Sequence, residues 1–251
     1  MGKTHQALQR AEKEYRENIL TLQSEKELPA IPSMPSPPAL LTRNELCLHQ
    51  FESLKINLLS RYRAEELKTI VFTSPAFNDG TTTTAANFAQ ALAKDSWRSV
   101  FLIDANLRHP CLHDIFKVDY ANGLSEFLED ESITVPQLKK IKSNFYLHTS
   151  GKLRSGSAGL FQSTKFDNFL DVVRKNFDHV IIDCPPISAF AETRVIAGKV
   201  DGVVLVVNAE RTRQSVALRA KKELQEVGAK MLGVVLNKRS YPIPDWLYQR
   251  L

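Results

Sequence analysis

From residue 69 onward the chain alternates six short apolar runs with stretches of helical periodicity. The runs lie at 69–73, 100–103, 145–147, 180–182, 203–207 and 232–236. Several are solidly apolar rather than alternating, as expected of strands buried on both faces. Helical spacing occurs at 82–94, 161–176, 189–198 and 213–227. A further helix is predicted over 44–63, ahead of the first run, with Asn44 as its cap and Leu46, Phe51, Leu54, Leu58 and Leu59 as its apolar positions. Strand and helix in alternation predict an α/β fold: a three-layer, doubly wound, mostly parallel sheet. Ligands of such sheets sit beyond the carboxyl ends of the strands, so the residues that follow each run carry the functional information.

What flanks this core differs in composition. Residues 1–28 place Leu8, Ala11, Tyr15, Ile19 and Leu22 at helical spacing, which predicts either a docking helix or a frayed helical tail. Residues 29–43 form a proline-rich linker, with five prolines between positions 29 and 38. The α/β domain is expected over 44–240, followed by a tail at 241–251. In the tail, Pro242, Ile243, Trp246, Leu247 and Leu251 make a short apolar surface that packs back on the domain or docks a partner.

The net charge of +5 comes from 33 Lys and Arg against 28 Asp and Glu. Residues 211–251 hold nine basic and three acidic side chains, so the rest of the chain is nearly neutral. A nucleic-acid partner is therefore not expected, because the charge makes no stripe across the fold. Arg211, Arg213, Arg219, Lys221 and Lys222 cluster on or near one helix, a solvated face or a contact for an anionic partner. Cys47, Cys111 and Cys184 have neither disulfide-framework nor zinc-ligand spacing. The first residues lack the apolar core of a secretory signal, Gln6 stands where a myristoylation signal has Ser or Thr, and no apolar run approaches membrane-span length. The expectation is a soluble, cytoplasmic protein.

The first run is followed by Ser74-Pro75-Ala76-Phe77-Asn78-Asp79-Gly80-Thr81-Thr82-Thr83-Thr84 and then a helix. A strand, a tight loop and a helix amino terminus cradle phosphate with backbone donors and the helix dipole. Gly80 allows close backbone approach, and the hydroxyl of Thr82 suits a magnesium ion. The full phosphate-loop pattern has a lysine directly before that hydroxyl residue, and here the position is Thr81. The second run is followed by Asp104 and the fourth by Asp183, two carboxylates that suit a hydrated magnesium beside a nucleotide. Taken singly, each has a plain structural explanation as a strand end or a helix cap. Together they point to a nucleotide site.

The segments TSPAFNDGTTTTAANFAQALA, VFLIDANLRHP, NGLSEFLEDE, FDNFLDVVRKNFDHVIIDCPP, VDGVVLVVNAERTR and GAKMLGVVLNK resemble, in order and spacing, the bacterial tyrosine autokinases of capsule and exopolysaccharide synthesis. The resemblance covers roughly residues 45–240. It implies a P-loop NTPase-like fold with ATP and Mg2+ as ligands. It implies nucleotide contacts from Gly80, Thr81, Thr82, Thr83, Arg108 and Asn237, and magnesium held by Thr82, Asp104 and Asp183. It also implies catalysis through Asp104 and Asp183, and phosphoacceptor tyrosines near the carboxyl end, here Tyr241 and Tyr248.

This chain departs from the family pattern at functional positions. The loop lysine is Thr81, and the second acid of the Asp-x-Asp motif is Asn106. Cys184 follows Asp183, and Glu192 stands where the family has Asp. The ring-assembly positions of the preceding helix hold His49, Glu52 and Lys55 in place of Glu, Arg and Arg. Removing one electrostatic stabiliser at a reaction centre typically costs about 2.7–4 kcal/mol. The resemblance with these changes implies a catalytically impaired member. Its partner would be a membrane polysaccharide co-polymerase or chain-length determinant, or a kinase paralogue, met at the inner face of the membrane. A homo-oligomer is allowed, with a degenerate ring contact. The alternatives are an active autokinase with a non-standard loop and a partition-type ATPase.

Overall fold

The first apolar run forms strand β1 (Thr69–Thr73), with every residue buried, in a computed structural model that describes residues 45–62, 67–152 and 157–239. The other runs become β2 (Val100–Asp104), β4 (Phe145–His148), β5 (His179–Asp183), β6 (Gly202–Asn208) and β7 (Met231–Asn237). A further strand, β3 (Lys139–Lys142), is absent from the sequence expectation. The sheet order is β3-β4-β2-β5-β1-β6-β7, with every pair parallel except β3 with β4. This is the doubly wound arrangement that the alternation of runs and helices predicts.

Period-two burial makes the three layers. Ile70 and Phe72 face one side of the sheet, where they pack with Leu58, Phe88 and Leu92. Val71 faces the other, with Phe166, Leu170, Ile196 and Leu224. The first side carries α1 (Glu45–Arg61), α2 (Thr81–Leu92) and the short α3 (Leu112–Phe116). The second carries α4 (Leu124–Glu129), α5 (Ser157–Phe161), α6 (Thr164–Asn176), α7 (Ala191–Ala197) and α8 (Gln214–Glu226). Helix α2 lies between the sheet and α1. Its Ala85, Ala86, Ala89 and Ala91 are all buried, which lets its backbone approach both layers closely.

The helix expected over 161–176 starts at Thr164, as α6, and Phe161 instead closes the separate short helix α5. Ser163 lies between them with extended backbone, and its hydroxyl accepts from the N–H of Phe166, which starts α6 afresh. Two strands run one residue further than the apolar pattern indicates, so Asp104 and Asp183 are the last residues of β2 and β5. The helix expected over residues 1–28, the linker expected at 29–43 and the tail at 241–251, with Tyr241 and Tyr248, lie outside the described residues.

Candidate functional site

At the carboxyl end of the sheet, β1 runs into α2 through residues 74–80. Asn78 (φ 65°) and Gly80 (φ 90°) are both left-handed. A Cβ on Gly80 would lie 2.0 Å from Nδ2 of Asn237, so conformation and space both require glycine. Asp79 is buried and braces the loop. Its Oδ2 accepts from the Ala76 N–H (3.3 Å) and its Oδ1 from the Thr212 hydroxyl (2.8 Å). Thr84 turns its hydroxyl back on the Gly80 carbonyl (2.8 Å). Among the described residues, the N–H groups of Asp79, Gly80, Thr81, Thr82 and Thr83 find no acceptor, which leaves a run of free donors at the mouth of α2. Gly80→Ala is expected to lower stability by about 2 kcal/mol, or roughly 4–8 °C in melting temperature, through φ strain and displacement of Asn237. An unchanged melting temperature would contradict that account.

The two acids are register partners on adjacent strands, and the Ala105 N–H donates to the Asp183 carbonyl at 2.9 Å. Asp104 is 0% and Asp183 1% exposed. Asp104 accepts from the N–H of Asn106 (3.1 Å) and of Leu112 (3.2 Å). Burial outweighs these bonds and pushes its carboxyl up to about 7. Burial first, then the charge of Asp104, holds Asp183 well above the usual carboxylate range, and the nearby Thr82 hydroxyl offsets part of this. Among the described residues, neither carboxylate oxygen of Asp183 has a partner at hydrogen-bond geometry. Burial and the same acids push the Cys184 thiol up, so it is an inert neighbour rather than a nucleophile.

Buried carboxylate oxygens without partners are costly and call for a cation. Two carboxylates and a hydroxyl form an oxygen-only donor set. That suits magnesium, which keeps several waters, better than zinc or a closed calcium cage. Among the described residues no cluster of three or more His, Cys, Asp or Glu is placed to hold a metal.

The other expected site residues are brought to the same end of the sheet, in altered company. Asn106 works as a turn residue, its Oδ1 accepting from the His109 N–H (3.2 Å). Arg108 donates through Nε to Glu192 (3.0 Å) and lies over the Phe190 ring (5.0 Å), so its charge is already matched. Asn237 donates through Nδ2 to the Asp79 carbonyl (2.9 Å). Two residues that the sequence pattern does not single out also belong here. Phe77 is an exposed ring that meets His109 (5.9 Å) and Phe190 (5.8 Å) edge-on, where three loops converge. Lys238 donates through Nζ to the Asn78 carbonyl (2.7 Å). The sequence signal for either is no more than a place just past a strand end.

Comparison with known proteins agrees with this fold. Residues 68–216 match the AAA domain family. The chain is 32% identical to tyrosine-protein kinase CpsD of Streptococcus pneumoniae serotype 4 over 176 residues, 69% of this chain and 77% of the relative. It is 30% identical to tyrosine-protein kinase YwqD of Bacillus subtilis over 201 residues, 79% of this chain and 84% of the relative. Among solved structures, the chimerical protein CapA2B2 superposes with a TM-score of 0.71 at 28% identity, covering 79% of this chain and 87% of the other. The kinase domain of Escherichia coli tyrosine kinase ETK shares the fold, with a TM-score of 0.72 at 22% identity and 89% coverage of each chain.

Proposed function

We propose that this chain, which belongs to the bacterial tyrosine-protein kinase family and carries its AAA domain, binds ATP with magnesium, transfers phosphate poorly, and serves capsule or exopolysaccharide synthesis by binding a partner. The observation that carries the nucleotide assignment is the pair of unbonded, buried Asp183 oxygens beside a loop of free N–H donors. Thr82, Asp104 and Asp183 would hold the metal, and the N–H groups of residues 79–83 would take the phosphate oxygens. Magnesium, when bound, would neutralise charge on the outer phosphates. Asn237 keeps its carbonyl oxygen for a base edge, since its amide nitrogen is engaged by the loop.

The impairment rests on what two positions lack. Thr81 offers no ammonium to the transferring phosphoryl group, and Asn106 supplies a turn instead of a carboxylate. Arg108 is committed to Glu192 and does not replace the missing charge.

Partner binding in place of self-assembly is supported by α1. Lys55 is 8% exposed and bonds Glu52 (2.7 Å), Asp95 (3.3 Å) and the Ala91 carbonyl (3.2 Å), while Glu52 also pairs with Lys94 (2.9 Å). These ring-assembly positions are thus spent on fastening α1 to α2 within one chain. The partner we propose is a membrane-embedded polysaccharide co-polymerase or an active kinase paralogue. No helix among the described residues is long and apolar enough to cross a membrane; the attachment we propose at the inner face runs through that partner.

Calorimetry and radiolabel transfer on the purified full chain test the proposal together. The expected result is saturable Mg·ATP binding with little or no label on Tyr241 or Tyr248. Label that disappears in Asp183→Ala would establish an active autokinase instead. Absence of any Mg·ATP binding would remove the nucleotide assignment.

A further inference from the structure

The loop that lacks its lysine is held from outside by two side chains at the end of β7. Asn237 donates through Nδ2 to the carbonyl of Asp79 at 2.9 Å. Lys238, left-handed at φ 55° as the chain leaves the strand, donates through Nζ to the carbonyl of Asn78 at 2.7 Å. These are consecutive carbonyls of the loop, reached from 158 and 160 residues away.

A trans peptide points its carbonyl and its N–H in opposite directions. Drawing the Asn78 and Asp79 carbonyls toward β7 therefore turns the N–H groups of Asp79 and Gly80 away from it. In the sheet, β7 and β5 lie on opposite sides of β1. The freed N–H groups thus face the side on which the unbonded Asp183 oxygens lie. Gly80 completes the fit, since any side chain there would strike the Asn237 amide.

We propose that Asn237 and Lys238 act as a clamp that pre-orients the loop's N–H groups into an anion cradle, making Lys238 a positioning residue for the outer phosphates of a nucleotide in a site that has no lysine at 81. This deepens the nucleotide assignment made above and rests on it. It explains how phosphate affinity survives the loss of the ammonium. Backbone donors bind an anion without a lysine only if their directions are fixed in advance, because an unfixed loop spends binding energy on ordering. Among the described residues, Lys238 has no carboxylate within ion-pair distance, and its ammonium donates to the loop carbonyl of Asn78.

The test uses the full chain, with Mg·ATP and magnesium tripolyphosphate as probes in calorimetry. Lys238→Met should weaken both by about tenfold, the scale of one lost hydrogen bond to a charged group. The dependence of affinity on salt should stay unchanged, because the ammonium orients the cradle and does not touch the phosphates. Lys238→Arg should restore most of the loss, and Asn237→Ala should reproduce it for tripolyphosphate, with a further loss for ATP from the base contact. Melting curves on the same samples would confirm that each variant is folded. Unchanged tripolyphosphate affinity in folded Lys238→Met would overturn the clamp, as would a loss for ATP alone, which would indicate a nucleoside contact. A flatter salt dependence would also overturn it, in favour of direct ammonium–phosphate pairing. Failure of the wild-type chain to bind either probe would instead remove the nucleotide assignment itself.

Discussion

Replacing Asp183 with asparagine is expected to stabilise the ligand-free protein at pH 8, with little difference from wild type near pH 4. Both acids of the pair are fully buried, and Asp104 titrates at about 7 against an ordinary 3.8. Between those values the folded state keeps protons that the unfolded state has released. Wild-type stability is therefore fully present below the unfolded value and falls as pH rises through the folded one, by up to about 1.4 kcal/mol per pH unit for each group. The Asp183→Asn change removes one titration, while Asp104, raised by its own burial, keeps the other. The variant's melting temperature should fall less than that of the wild type from pH 5 to 8, because only Asp104 still titrates, and the gap should be widest at the alkaline end. Mg·ATP should raise the wild-type melting temperature most at the alkaline end and leave the variant nearly unmoved. Parallel pH curves for the two proteins would show that the carboxylates are not destabilising. The charge-requiring metal site would then lose its main physical support.

The apolar runs made the architecture legible because β1, β2, β4, β5 and β6 are buried along their whole length, and solid runs such as 203–207 have few other homes. Strand β3 was invisible for the opposite reason. Its sequence KKIK alternates half-buried and exposed positions at the sheet edge, where lysines guard against further pairing. The break at Ser163 is hard to read because the helical rhythm of Phe166, Phe169, Leu170 and Val173 begins just after it and Phe161, which meets Phe166 edge-on, supplies one more apolar ring ahead of it. At the site, the loop and both acids could be read as the residues following apolar runs. Their burial could not, since it depends on the strands running one residue longer than the pattern. Pairings such as Arg108 with Glu192, Asp79 with Thr212, or Asn78 with Lys238 join residues 84, 133 and 160 positions apart. No local spacing encodes such contacts. They arise from which strand ends the sheet order brings together.

Thr81→Lys should raise phosphoryl transfer by about a hundred- to a thousandfold, the scale of restoring one electrostatic stabiliser at a reaction centre. Thr81 is the first residue of α2 and 9% exposed, at the mouth of the helix where the free N–H groups lie. That is where an ammonium would meet outer phosphates. Asn106→Asp should behave differently. Its side-chain oxygen already accepts from the His109 N–H, and a carboxylate can keep that bond, so the turn survives. The new charge, however, joins a pair of acids that already resist ionisation. Alone, Asn106→Asp should weaken the ligand-free fold and add little transfer. Combined with Thr81→Lys, the new ammonium and the metal offset the added charge, and the two changes should exceed the sum of their separate effects. Radiolabel on Tyr241 and Tyr248 in the two single variants and the double variant measures this directly. Tighter Mg·ATP binding without label in the double variant would place the block elsewhere, with the Arg108–Glu192 pair as the next position to change. No gain in either binding or transfer would show that Thr81 is not the seat of the impairment.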